Sequence, residues 1–150
     1  MKKLDKTIVL GIGNNGRQDD GLGWMFLDFL EKQNSGIDIE YRYQLQIEDA
    51  DLISNYDKVI FVDATKEETD EGFYLKPCLP SEAYSFSTHA LNPETIMYLA
   101  KKLYNHNPDA SIFAIQGYDW ELQIGLSKKG TANLNKAKKY FENTILINYL

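Results

Sequence analysis

The chain has 150 residues, 43% hydrophobic and 25% charged, which suits one compact domain able to bury most of its apolar surface. A formal net charge of −6 and a sequence pI near 4.9 oppose electrostatic binding to nucleic acid or to an anionic membrane surface, both of which need excess Lys and Arg. Cys78, the single cysteine, excludes an intramolecular disulfide and a cysteine-rich metal site and suits a reducing cytoplasm, while the apolar stretch near the N-terminus is too short for a signal-peptide core or a membrane span.

Residues 7–11 form a β-branched apolar run ending in glycine, after which Leu22, Met25, Phe26, Phe29 and Leu30 recur at helical spacing. A buried strand feeding an amphipathic helix through a glycine-rich turn opens a doubly wound α/β domain; this helix is expected to end near Gln33. Residues 37–43 read as a second strand, 48–55 as a short helix, and 58–63 as a third strand, apolar until Asp63 and therefore central. Residues 72–76 alternate like an edge strand that Pro77 and Pro80 stop, and 80–88 read as a surface loop. Asn92, Pro93 and Glu94 supply a cap, a first-position proline and an acidic first turn for a helix with Ile96, Leu99, Ala100 and Leu103 on its apolar face. Residues 110–116 make a further buried strand, and Ser127 caps a last helix whose apolar face runs through Leu134, Ala137, Phe141 and Ile145. No repeat or linker breaks the pattern, so residues 1–150 are expected to form a single domain.

The turn Gly11-Ile12-Gly13-Asn14-Asn15-Gly16 matches the spacing of a dinucleotide-binding loop, but Asp19 and Asp20 follow it with only Arg17 nearby, and two carboxylates repel a pyrophosphate. Acidic residues at a helix N-terminus are favoured by capping and by the macrodipole, which accounts for one aspartate. Two in succession raise each other's proton affinity unless a cation or donor compensates. Asp63 ends a hydrophobic strand, where open α/β sheets place ligand-contacting residues, although a turn or capping role would account for it equally well if it stood alone. His89 precedes the helix capped by Asn92 and reaches the same sheet edge if the winding is usual; its plain alternative is an ordinary loop histidine. His106 lies in a polar turn after a helix and reads as solvated or as a C-capping residue. Two carboxylates and an imidazole on separate loops would form an open site for a borderline divalent ion such as nickel or zinc. Cys78 has no neighbouring histidine and no nucleophile-elbow motif occurs, so no covalent nucleophile is evident.

Taken together, residues 11–23, Val62-Asp63-Ala64, His89 to Pro93 and Gly125-Leu126-Ser127 resemble, in order and spacing, the hydrogenase maturation peptidases. The resemblance implies an α/β fold, a three-layer α/β/α sandwich with a mostly parallel twisted sheet of phosphorylase/hydrolase-like type. It further implies an endopeptidase that removes a C-terminal peptide from the nickel-loaded precursor of a [NiFe] hydrogenase large subunit, in the cytoplasm, with Asp20, Asp63 and His89 as catalytic and metal-contacting residues. Nickel would come with the substrate, and no organic cofactor is expected. Asn14, Asp19, Gln44, Leu45 and Glu48 are expected to take part in substrate recognition, the last three because the segment from Gln44 to Glu48 replaces a Gly-Gly-Thr loop common in the family with a Gln-Leu variant like that of peptidases serving bidirectional hydrogenases. The alternative is a non-proteolytic nucleotide- or ligand-binding protein of related α/β fold.

Overall fold

The computed structural model describes residues 5–82 and 91–149. Among these, strands β1 (Thr7–Ile12), β2 (Asp38–Arg42), β3 (Lys58–Thr65), β4 (Phe73–Pro77) and β5 (Asp109–Gln116) form one sheet in the order β2-β1-β3-β5-β4. The first four in that order are parallel, and β4 is an antiparallel edge strand on β5. Helices α1 (Leu22–Glu31) and α4 (Lys128–Thr144) cover one face of the sheet, while α2 (Glu48–Ile53) and α3 (Pro93–Tyr104) cover the other.

The strand pattern produces these layers directly. Val9, Ile60, Val62, Phe113 and Ile115 point to the face packed by Phe26, Leu134 and Phe141; Ile8, Leu10, Val59 and Phe61 point to the face packed by Ile53, Ile96 and Ala100. Period-two alternation with apolar residues on both faces is the signature of a strand buried from both sides. The helix caps also form as expected: Asn92 Oδ1 accepts from the Thr95 N–H at 2.8 Å, and Ser127 Oγ accepts from the Gly130 N–H at 2.9 Å.

Element ends differ slightly from the sequence reading. Helix α1 stops at Glu31, α2 stops at Ile53, and β3 runs two residues past Asp63 because β5 stays paired with it through Thr65↔Gln116. Pro77 is the last residue of β4, tolerated because an edge strand need not donate on both sides. Most of the loop expected over 80–88, and His89, lie outside the described residues.

Two features position the site. Between β1 and β3 the chain reverses its direction of travel across the sheet, and the β1–β3 register stops at Gly11↔Val62. Asp63 is thus the first residue of β3 beyond its pairing with β1, at the mouth of the crevice where doubly wound sheets bind ligands.

The second feature is Asp19, which is wholly buried. Its Oδ2 accepts from the N–H groups of Tyr118 (2.7 Å) and Asp119 (3.1 Å) and from Ser127 Oγ (2.6 Å), while Oδ1 accepts from Ser127 N–H at 2.8 Å. The carboxylate sits against the N-terminus of α4, where the helix dipole favours negative charge. Gly130 leaves room for it, since a Cβ there would lie 2.7 Å from Asp19 Oδ1. Burial alone would raise the Asp19 pKa; hydrogen bonds from Ser127, Tyr118 and Asp119 outweigh it and hold the carboxyl below its ordinary value. An expected substrate-recognition residue is therefore a structural tie, with no face left for a substrate.

Asp19→Ala leaves those donors without an acceptor, at about 1–3 kcal/mol for each group that water cannot reach. A loss of roughly 3 kcal/mol, read as a lower urea midpoint at unchanged m, is expected. Because the folded pKa is depressed, the stabilisation is complete above the unfolded value of 3.8 and disappears as pH falls through the lower folded value. Asp19→Asn should remove that component of the acid sensitivity, measured by urea melts at successive pH values.

Candidate functional site

The turn after β1 sends two neighbouring aspartates in different directions. Gln18 adopts φ 47°, an uncommon left-handed conformation for a non-glycine residue, and is held there by its N–H bond to Gln123 O (2.8 Å) and by Glu121 N–H bonding to its Oε1 (2.9 Å). The following 3-10 turn, Gln18–Gly21, then buries Asp19 and leaves Asp20 partly exposed. Gly13, at φ 151°, lies so close to this turn that a Cβ would come within 2.1 Å of Asp20 O. Burial raises the pKa of Asp20, an effect that Arg17, the Asn14 backbone and Lys66 offset only in part.

Asp63 is the more strongly shifted group. Burial pushes its pKa up to about 7; the Ala64 N–H, bonded to Oδ1 at 2.8 Å, works against this, and the neighbouring charge of Asp20 adds to it. Among the described residues, Asp63 forms no ion pair within 4.0 Å. A carboxyl that gains or loses a proton near neutral pH, reaching solvent at a sheet crevice, is suited to acid–base work or to meeting a cation.

Asp20 and Asp63 share the walls of two clefts. The first, of about 390 Å³, lies on the β1–β2 side and is lined by Ile12, Gly13, Tyr43, Gln44, Leu45, Leu91, Asn92 and Pro93 together with the two aspartates. Leu45 and Leu91 pair through an antiparallel bridge, joining the loop after β2 to the segment leading into α3. Arg42 steadies that loop by bonding the buried Asp49 at 3.0 Å, and Asp49 also accepts from Gln46 N–H at 2.9 Å. The second cleft, of about 320 Å³, opens on the β3–β5 side between Asp20, Asp63, Ala64, Arg17, Lys66 and Trp120.

The structure therefore brings Asp20, Asp63, Gln44 and Leu45 together at one cleft. His89 lies outside the described residues, but Leu91, two positions on, lines that cleft. Glu48 is exposed at the start of α2 and is not part of the cleft wall. Asn14 spends its side-chain oxygen on the Gly16 N–H at 2.8 Å and so closes the turn. Among the described residues no group of three or more His, Cys, Asp or Glu side chains is placed to hold a metal. His106 bonds through Nε2 to the Tyr56 carbonyl, just before β3 and at the opposite edge of the sheet, and so ties rather than floats free. Cys78 is buried and its thiol is pushed up to about 12, chiefly by burial, which suits inert packing. Sequence reading missed Lys66 and Trp120 as site residues; the available signal for Lys66 was its place three residues after the strand-end aspartate.

The raised pKa of Asp63 makes a sign-definite prediction. Its contribution to stability is present below the unfolded value of 3.8 and is lost as pH rises through about 7, because the folded protein then holds a poorly solvated charge. Asp63→Asn keeps an acceptor for Ala64 and removes that charge, so the stability of the variant relative to the parent should rise by roughly 2–3 kcal/mol between pH 5 and pH 8. Urea unfolding at both pH values measures this.

No protein-family model matches the chain, and no curated protein matches it. Solved structures do. The chain is similar to the [NiFe] hydrogenase maturation protease HycI from Thermococcus kodakarensis KOD1, with 21% identity, 93% of this chain and 90% of that one covered, and a TM-score of 0.69. It is also similar to the hydrogenase maturating endopeptidase HybD from E. coli, at 19% identity over 95% of this chain and 93% of that one with a TM-score of 0.74. A hydrogenase 2 maturation peptidase from Thaumarchaeota archaeon SCGC_AB-539-E09 aligns at 18% identity over 94% of this chain and 99% of that one, with a TM-score of 0.65. At these identities, over nearly the whole of each chain, the likeness establishes a shared α/β/α fold.

Proposed function

We propose that the protein is an endopeptidase that removes a C-terminal peptide from the nickel-loaded precursor of a [NiFe] hydrogenase large subunit in the cytoplasm. One observation carries this reading: Asp20, from the turn after β1, and Asp63, near the end of β3, line a single open cleft at the switch point of the sheet together with Gln44 and Leu45. The likeness to solved maturation proteases supports it as analogy of fold.

In this reading the nickel ion is part of the substrate, held by the precursor, and Asp20, Asp63 and His89 are the residues that would meet it. Two carboxylates whose pKa values are raised by burial, with the charge of Asp20 adding to the rise at Asp63, fit such a visitor, because a divalent cation offsets both burial and like charge. When bound, the ion supplies charge that polarises a carbonyl or a water. The chain itself supplies the proton handling: an ionised Asp63 takes a proton from the attacking water, and its protonated form returns one to the departing amine. Gln44 and Leu45 contribute to choice of partner from the wall of the same cleft, where the Gln-Leu variant points to a bidirectional hydrogenase.

The competing nucleotide reading finds no support in the turn, where the backbone N–H groups of Gly13, Asn14, Gly16 and Arg17 are already engaged. Incubation of the cognate nickel-loaded precursor with the wild-type protein should remove a short C-terminal peptide, seen as a fall in intact mass. Asp63→Ala and Asp20→Ala should each slow processing by at least about a hundredfold, the usual scale for loss of an acid–base group. An unchanged mass with a confirmed precursor would sink the protease assignment.

A further inference from the structure

The cleft on the β3–β5 side of the aspartates has a composition unlike its neighbour. Arg17 and Lys66 flank it, Trp120 lines it, and Lys66 Nζ lies over the Trp120 ring at 5.2 Å from the centroid. Both cations act electrostatically on Asp20, yet among the described residues neither makes an ion pair within 4.0 Å. In a chain of net charge −6, two exposed cations and an indole share a cleft of about 320 Å³ with Asp20 and Asp63, and the part of it nearest Arg17 and Lys66 is a local site for negative charge.

We propose that this cleft is a carboxylate-recognising subsite that receives the segment of peptide lying on one side of the scissile bond, with Arg17 and Lys66 meeting its carboxylate and Trp120 covering the chain beside it. The proposal rests on the endopeptidase reading for its occupant. Its geometry comes from the shared wall: an extended chain crossing Asp20 and Asp63 has one arm in the cleft of Tyr43, Leu45 and Leu91, which has no cationic side chain, and the other between Arg17 and Lys66. The guanidinium supplies planar, bidentate recognition, whereas the ammonium acts as a point charge. Charge complementarity assigns the arm bearing a free α-carboxylate or an acidic side chain to the cationic cleft. The aspartates between the clefts repel that carboxylate and so oppose its binding across the reacting position.

The test uses the intact protein and short synthetic peptides, read by the two indole N–H signals in proton–nitrogen NMR spectra. Trp24 serves as the internal control, because its Nε1–H is bonded to Arg42 O at 3.1 Å on the β2 side. An N-acetylated tetra-alanine with a free C-terminus, its amidated form, and an amidated peptide carrying one Asp are titrated in turn. A saturable shift of the Trp120 signal with either carboxylate-bearing peptide, weaker with the neutral amide, supports the subsite. Which of the two shifts it distinguishes a terminal from a side-chain carboxylate. Lys66→Gln and Arg17→Gln, both at exposed positions, should each weaken the response by about five- to tenfold, and added salt should weaken it further. No saturable shift, an equal response to the neutral amide, or undiminished binding in both variants would overturn the proposal. Because the readout is binding, Trp120 can respond as expected while the precursor's mass stays unchanged; that combination retains the carboxylate site and removes only the protease reading.

Discussion

The buried Asp19 carboxylate is the tie on which the site depends. It gathers donors from residues 118, 119 and 127, which lie about a hundred positions away in the chain, and seats the turn after β1 on the N-terminus of α4. Bonds from the Gln18 N–H to Gln123 O, from the Asp19 N–H to Asp119 O and from the Glu121 N–H to Gln18 Oε1 reinforce the same seam between the two loops. Asp20, the immediate neighbour of Asp19, owes its place in the cleft to that anchoring, and so does Trp120, one residue beyond Asp119. Buried charges are costly unless fully bonded, and Asp19 meets that condition through three backbone N–H groups, a hydroxyl and a helix dipole.

Asp19 and Asp20 also show why identical residues have opposite electrostatic fates. The number of donors aimed at each carboxylate decides the direction: Asp19 is held below the ordinary carboxylate value, whereas Asp20 is raised. Asp63 goes furthest, with one backbone donor against deep burial and a like charge. A core assembled only for stability would use an apolar or neutral residue there. Retaining a carboxylate that opposes folding at neutral pH is the pattern expected where chemistry sets the residue.

Layer architecture was legible in the sequence because it follows from strongly periodic signals. The runs through Ile8 to Leu10 and Val59 to Val62, and the caps at Asn92 and Ser127, each determine local structure with little help from distant contacts. Asp20 and Asp63 were legible as a pair because the carboxyl ends of neighbouring parallel strands converge. The role of Asp19 was not, since a macrodipole argument applies equally to both members of an Asp-Asp pair, and its partners lie a hundred residues away. Trp120 and Lys66 were missed for a related reason: an exposed lysine and an aromatic in a loop carry no periodic signal, and only tertiary folding makes them two sides of one cleft.

The glycine-rich turn shows how a motif and its mechanism can part. A dinucleotide loop works because its backbone N–H groups are free to face phosphate oxygens. Here the Gly13 N–H bonds Arg42 O, the Asn14 N–H bonds Asp20 O, the Gly16 N–H bonds Asn14 Oδ1, and the Arg17 N–H bonds Asn14 O. Those four donors are consumed in folding the turn and in tying it to β2. Asp20 then lines the same cleft as Gly13 and brings negative charge to it. The glycine at position 13 serves the close packing of a turn that presents negative charge, which reverses the electrostatic sign of the site while preserving the spacing of the motif.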